Sequence, residues 1–357
     1  MKVAILTFHC AHNYGAVLQT YALQEVLRTM GHDVYVLDYR PRYITKEYGL
    51  LYSSIDAVLS KNIFKMVYKC LLEVPFFFQR IRRRSLFNSF INNRFNLRPF
   101  QKGDPLSDID TLVVGSDQVW EQRLTGWDDI FWGCGIKCNV VAYGASMRTI
   151  DEAIADQLVP HLSAYSAISV REKSIADVLF QKGIHATWVM DPTILAGPKI
   201  FSKLAIPPVR KRPYVFIYQL GFCRQTRVLA RQVAKQLDCD IVELTQRSTE
   251  YYSHQDTQMA ISPEQFVGFI RNASCVFTTS FHGLAFSLLF KKSFYVMRQG
   301  TAFDNRAESL LSALNLSNRM LPCNTSCLEY LEIDYSSTDS LLDVLRGTSM
   351  DFLNTSI

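Results

Sequence analysis

The first forty residues commit the chain to a parallel sheet. Val3-Ala4-Ile5-Leu6-Thr7-Phe8 is an apolar run of strand length, followed by a polar turn from His9 to Tyr14. Apolar residues then recur at spacings of three and four, as the rows Leu18, Ala22, Val26 and Leu23, Leu27, Met30, which predicts a helix. Gly31 offers the left-handed position that ends a helix, and Val34-Tyr35-Val36-Leu37 resumes as a strand. A β-α-β unit implies parallel strands joined by a right-handed crossover.

The alternation continues along the chain. Strands are expected at 111–114, 140–143 and 167–170, with helices near 151–164 and 172–182. A short strand at 187–190 leads into Asp191-Pro192-Thr193. The stretch 196–213 carries Gly197, Pro198, Pro207, Pro208, Arg210, Lys211, Arg212 and Pro213, the composition of an exposed linker. A second series follows: strands at 214–220, 241–244, 275–278 and 293–297, with helices at 224–237, after Ser262-Pro263-Glu264, and at 283–290. At 357 residues the chain exceeds what one core usually organises. Two doubly wound α/β domains are expected, 1–205 and 206–357, with the last segment packing back on the first. Ligands then belong in the cleft where the C-terminal ends of both sheets face each other.

Composition narrows the function classes. A hydrophobic fraction of 48% and a charged fraction of 20% are those of a folded globular chain. No apolar run reaches about 18 residues and the start does not read as a signal peptide, so a cytoplasmic location is expected. Nine cysteines form an odd set without framework spacing, which argues against structural disulfides. The pairs Cys134/Cys138 and Cys323/Cys327 lack the spacing of zinc knuckles. The net charge of +5 comes from one segment, 61–94, which holds Lys61, Lys65, Lys69, Arg80, Arg82, Arg83, Arg84 and Arg94 against Glu73. Phenylalanines and a tyrosine are interleaved with these bases. The segment belongs to a helical insertion at about 54–98. It is either a solvated basic face over an aromatic core face or a peripheral contact with an anionic membrane at the inner face of the plasma membrane. No recognised nucleic-acid module surrounds it, so nucleic acid is not an expected partner.

Three strand ends carry polar turns. At Asn13-Tyr14-Gly15, glycine permits close backbone approach and the helix N-terminus favours an anion or a sugar hydroxyl; the alternative is an ordinary βα turn. Ser116-Asp117-Gln118 offers donors and acceptors for a polyhydroxylated ligand, with Trp120 as a sugar-facing surface; the alternative is a plain helix cap. At Ser280-Phe281-His282-Gly283 an imidazole stands at a helix N-terminus, combining acid-base chemistry with unpaired N–H groups that stabilise phosphate or carboxylate. The alternative for His282 is a hydrogen bond to a neighbouring carbonyl.

In order along the chain, Asn13-Tyr14-Gly15-Ala16-Val17-Leu18-Gln19, Gly115-Ser116-Asp117-Gln118-Val119-Trp120, Ser169-Val170-Arg171-Glu172, Asp191-Pro192-Thr193 and Ser280-Phe281-His282-Gly283 resemble the polysaccharide pyruvyl transferase family. The resemblance implies two facing Rossmann-like domains of the glycosyltransferase-B type. It further implies transfer of pyruvate from phosphoenolpyruvate to a sugar as a ketal, in capsule, exopolysaccharide or other surface-glycan synthesis in bacteria. His282 matches the family's catalytic histidine. Some members carry Arg-Leu before that histidine where this chain has Ser280-Phe281, so another cation must meet the donor's anionic groups. Arg171, Arg298 and Arg306, the last beside Asn305, are the candidates, because a guanidinium fork matches phosphate and carboxylate bidentately.

Phosphoenolpyruvate is thus the expected donor substrate, without a further cofactor, and a glycan or lipid-linked sugar the expected acceptor. Asp108-Ile109-Asp110 and Asp238-Cys239-Asp240 match a metal-binding D-x-D pattern only superficially, since each immediately precedes a strand. No essential metal is expected. A sugar-nucleotide glycosyltransferase on the same architecture and a non-catalytic glycan-binding or assembly homologue are the rival readings.

Overall fold

The computed structural model describes residues 1–45, 76–245, 257–300 and 303–357. It contains two fully parallel sheets. The first, of seven strands, runs β1 (Lys2–Leu6), β2 (Asp33–Asp38), β3 (Leu97–Pro99), β4 (Thr111–Asp117), β5 (Asn139–Ala145), β6 (Ala167–Val170) and β7 (Thr187–Trp188), in the spatial order β3-β2-β1-β4-β5-β6-β7. The second has six: β8 (Tyr214–Tyr218), β9 (Asp240–Leu244), β10 (Thr257–Gln258), β11 (Cys275–Thr278), β12 (Ser293–Met297) and β13 (Met320–Leu321), in the order β10-β9-β8-β11-β12-β13. Each order reverses once, between β1 and β4 and between β8 and β11. At these switch points the loops diverge to opposite faces and leave a crevice beyond the strand ends. The central strands are buried on both faces, as β8, β11 and β12 are along their whole length, which explains their unbroken apolar runs.

The helices that matter to the cleft are α1 (Tyr14–Thr29), α2 (Phe77–Arg94), α3 (Lys173–Gln181), α4 (Gly197–Leu204), α5 (Arg224–Gln236), α6 (Pro263–Asn272), α7 (Phe281–Leu289), α8 (Phe303–Ala313) and α9 (Ser336–Ser356). Residues 197–204, read from sequence as exposed linker, are helical and bury Phe201 and Leu204. Pro198 does not prevent this, because the first helical turn needs no N–H from it. Only 205–213 lies outside helix and strand, with Val209 fully exposed. Helix α7 begins two residues earlier than the sequence pattern predicts. A Cβ at Gly283 would lie 2.2 Å from Thr278 Oγ1, so the glycine lets α7 close down on β11.

The inner faces of the two halves share one hydrophobic core that joins α1, α4, α6, α7 and α9. Tyr14 is its hinge pin: fully buried, it stacks on Phe266 at 4.6 Å and donates to Ile261 O at 3.0 Å. The final helix α9 lies against the first half. Met190 N–H donates to Ser349 Oγ at 2.9 Å, and Arg346 Nε donates to Ile194 O at 3.0 Å. Helix α2 docks through Phe87, Phe90 and Ile91 and leaves Phe77, Phe78, Ile81, Arg82 and Arg84 exposed. Arg83 turns inward over the Phe87 ring and donates to His12 O. The rest of the basic insertion, with Lys61, Lys65 and Lys69, lies outside the described residues.

Candidate active site

In the cleft, three segments of the first half meet two of the second. Strand β4 ends at Asp117, β6 runs into Arg171 and Glu172, and Asp191 precedes the single helical turn Pro192–Leu195. Opposite them stand Ser280, Phe281 and His282 at the start of α7, and Arg306 on α8.

A buried charge network links the halves. Arg171 donates from NH1 to Asp191 Oδ2 at 2.6 Å and from NH2 to Asp117 Oδ1 at 3.2 Å. Asp191 Oδ1 accepts from the Thr193 backbone N–H at 2.9 Å and its hydroxyl at 2.7 Å, which fixes the carboxylate. His282 Nε2 approaches Asp191 Oδ2 at 3.6 Å, so one carboxylate faces both the guanidinium and the imidazole. Burial opposes ionisation of Asp191, but His282 and Arg171 outweigh it and hold its carboxyl well below the usual range. Burial likewise disfavours the Arg171 cation, and Asp191 and Asp117 reverse this, raising its pKa.

Glu172 and Arg306 form the second arm. Glu172 Oε1 accepts from Ser146 Oγ at 2.7 Å and lies 3.6 Å from Arg306 Nε. Burial raises the Glu172 pKa despite its two arginine neighbours. Arg306 moves the other way: burial first and the Arg171 charge second lower its pKa. Both guanidiniums lie over the Phe281 ring, with their central carbons 5.8 Å and 5.5 Å from its centroid for Arg171 and Arg306 respectively. Two guanidiniums remote in sequence therefore stand beside the turn that carries Ser280 and His282. Two arginines this close disfavour each other's charge, and an anion between them relieves that cost.

The site also has unfilled hydrogen-bonding capacity. Ser280 Oγ, His282 Nε2, Arg171 Nε and Glu172 Oε2 are buried without a hydrogen-bond partner. Buried polar groups are normally paired, so four such atoms gathered around one helix start give the cleft hydrogen-bonding capacity that a polar ligand can use. Ser280 is the N-cap of α7 yet makes no side-chain cap bond, which leaves N–H groups of the first turn open.

Other expected site residues fall elsewhere. Asn13 caps α1, its Oδ1 accepting from Gly15 N–H at 2.9 Å and Ala16 N–H at 3.4 Å, and Tyr14 is consumed by the interdomain core. Gly15 does reach the site: a Cβ there would lie 2.1 Å from His282 Nδ1, so glycine alone lets α1 abut the imidazole. Ser116 is buried, donates to Gly144 O and accepts from Thr7 through its own carbonyl. Gln118 is nearly buried, and its N–H donates to Asp117 Oδ1. Trp120 is fully buried, stacked on Trp132, and cannot face a sugar. Gly283 serves packing against Thr278. Arg298 pairs with Glu308 and is half exposed, and Asn305 is exposed on α8. The two D-x-D patterns lie at the opposite strand ends, where Asp108 holds Arg98 and Asp238 holds Arg212. Among the described residues no group of three or more His, Cys, Asp or Glu side chains could hold a metal ion. Asp191, Glu172 and Ser146 were missed as site residues: Asp-Pro-Thr reads locally as a helix start, and nothing local to Glu172 shows its burial.

The sequence model described as polysaccharide pyruvyl transferase matches residues 13–300. No curated protein matches the chain in sequence. Among solved structures, a UDP complex of S. aureus MnaA superposes with a TM-score of 0.50 at 11% identity, covering 99% of this chain and 95% of that one. A putative UDP-N-acetylglucosamine 2-epimerase from Listeria monocytogenes gives 0.48 at 10%, covering 99% and 88%. The glycosyltransferase SnogD from Streptomyces nogalater gives 0.41 at 11%, covering 99% and 95%. At such identities the first of these speaks for the fold alone, which is of the glycosyltransferase-B type.

Proposed function

The chain belongs to the polysaccharide pyruvyl transferase family, and we propose that it transfers pyruvate from phosphoenolpyruvate to a sugar hydroxyl pair as a cyclic ketal, with His282 as the acid-base group. Phosphoenolpyruvate is an enol ester of phosphate. Adding a proton to its methylene carbon makes C2 electrophilic, and one sugar hydroxyl bonds to C2 while losing its proton. A second hydroxyl then displaces phosphate from C2 and closes the ring. His282 is suited to carry these protons because Gly15 packs against one ring nitrogen and the other is held near Asp191 without a hydrogen bond. Arg171, Arg306 and the open start of α7 receive carboxylate and phosphate.

The single observation that carries this assignment is the convergence of two buried arginines and an unpartnered Ser280 hydroxyl on the turn bearing His282. It also favours a working donor site over a non-catalytic homologue. Mass spectrometry of lipid-linked glycans incubated with phosphoenolpyruvate should reveal a pyruvyl adduct with equimolar phosphate release. Transfer from a sugar nucleotide instead, or phosphoenolpyruvate binding without any product, would refute it.

The acceptor we propose is a lipid-linked sugar in capsule or exopolysaccharide assembly at the inner face of the plasma membrane. Among the described residues no helix is long and apolar enough to cross a bilayer. The exposed Phe77, Phe78 and Ile81, flanked by Arg82 and Arg84, suit peripheral contact with anionic lipid. Reversing both charges should weaken binding to anionic vesicles while sparing turnover of a soluble acceptor; undiminished vesicle binding would count against the contact.

A further inference from the structure

Two cysteines a hundred residues apart converge at the rim of the same cleft. Cys223 ends the loop after β8 and caps α5; Cys323 follows β13. Their sulfurs lie 2.9 Å apart, and the Cys323 thiol also lies 2.6 Å from Arg298 O. Cys223 is buried and Cys323 exposed, so the pair has one sulfur open to an oxidant and one sheltered behind it.

The loops that bear them reach the catalytic turn. Leu220 N–H donates to Thr279 Oγ1 at 3.0 Å, and Thr279 Oγ1 donates to Gly221 O at 2.9 Å; Thr279 immediately precedes Ser280. A Cβ on Gly221 would lie 2.5 Å from Gln299 Oε1, so this loop also abuts the end of β12. There the Asp304 carboxylate accepts from Gln299 N–H at 3.0 Å and Gly300 N–H at 2.8 Å, two residues before Arg306. From these contacts we propose that Cys223 and Cys323 are a reversible dithiol–disulfide site whose oxidation pulls on the second-half side of the donor-binding wall, at the Thr279 turn and at the start of α8. The functional half of this proposal rests on the pyruvyl-transfer assignment; the chemical half does not.

The oxidant required is hydrogen peroxide. The Cys323 thiolate attacks its oxygen, forms a sulfenic acid and releases hydroxide; the Cys223 thiol then attacks that sulfur, and a disulfide forms as water leaves. Two thiols lose two electrons and the peroxide gains them. A disulfide needs the sulfurs about 2.05 Å apart, so the loops must close by less than about 1 Å. Partial desolvation, and then the adjoining thiol, push Cys323 up to about 12, so its thiolate is a minor form near neutral pH and oxidation proceeds slowly, only while peroxide is supplied.

Reduced protein is treated with hydrogen peroxide, blocked with an alkylating agent and mapped by peptide mass spectrometry without reduction. The expected result is one Cys223–Cys323 linked peptide and the loss of two of the nine thiols, reversed by dithiothreitol. A Cys323–Cys327 link, or overoxidised Cys323 beside unmodified Cys223, would overturn the pairing. In parallel, phosphate release from phosphoenolpyruvate should fall at least about tenfold on oxidation and recover on reduction, while Cys323→Ser enzyme stays insensitive. A cross-link that leaves turnover unchanged overturns the coupling. A reduced enzyme without activity counts against the pyruvyl-transfer assignment and leaves the mapping result standing.

Discussion

Two strand-to-helix turns, one from each half, face each other across the cleft and are built alike, yet they end differently. The turn before α1 is closed by its own side chains: Asn13 satisfies two of the first N–H groups and Tyr14 is buried in the shared core. The turn before α7 is left open, with no cap bond from Ser280 and an unpartnered hydroxyl beside His282. One helix start is satisfied by its own side chains, and the other keeps hydrogen-bonding groups open. Gly15 is where they touch, its missing Cβ making room for the imidazole.

The largest effect expected from breaking this asymmetry is at the open turn. His282→Ala should lower pyruvyl transfer by about 10²–10⁴-fold in a protein that still folds, the usual contribution of a positioned acid-base group. Its loss of stability should be smaller than removal of Asp191 causes, because Arg171 still faces the carboxylate. A folded variant with full phosphate release would remove His282 from the mechanism.

Next is the carboxylate that serves both halves. Asp191→Asn removes a charge facing Arg171 and His282 and should destabilise the protein by about 3–5 kcal/mol near pH 7, as for a broken buried pair. The folded carboxyl titrates below its unfolded value of about 3.9, so its stabilisation is present above that pH and lost as pH falls through the folded value. Denaturant titrations from neutral pH downward should show wild type and variant converging in acid; a gap independent of pH would mean that charge is not what Asp191 contributes.

Gly15→Ala tests the contact between the turns. Alanine favours the helix, yet its Cβ displaces the His282 ring, so turnover should fall by about 10²-fold with little change in stability. Retained turnover would show that the imidazole works from another position.

The smallest effect belongs to the closed turn. Asn13→Ala should cost about 1 kcal/mol, typical of a lost N-cap, measurable by chemical denaturation. Turnover should fall less than with Gly15→Ala; the reverse order would mean that Asn13 serves a ligand as well as its helix.

Much of this was legible in the sequence. The β-α-β periodicity gave the parallel sheets, and the polar turn at His282 stood out because core packing requires no imidazole after an apolar strand. Other features were hidden because their partners are remote. Tyr14 looked like a ligand group, but its partners Phe266 and Ile261 lie some 250 residues away. Trp120 looked suited to a sugar and is instead core, covered by Trp132. Arg171 and Arg306 were two of three candidates, and only folding brings both over the Phe281 ring while Arg298 turns to Glu308.

The sequence by itself determined the two parallel sheets and the polar turns at their strand ends, because helical and strand periodicity and turn chemistry are local properties. The tertiary structure alone decided which turn is closed and which is open. Whether a buried N–H, hydroxyl or guanidinium finds a partner depends on segments brought together from across the chain, and the groups left unpaired define the site.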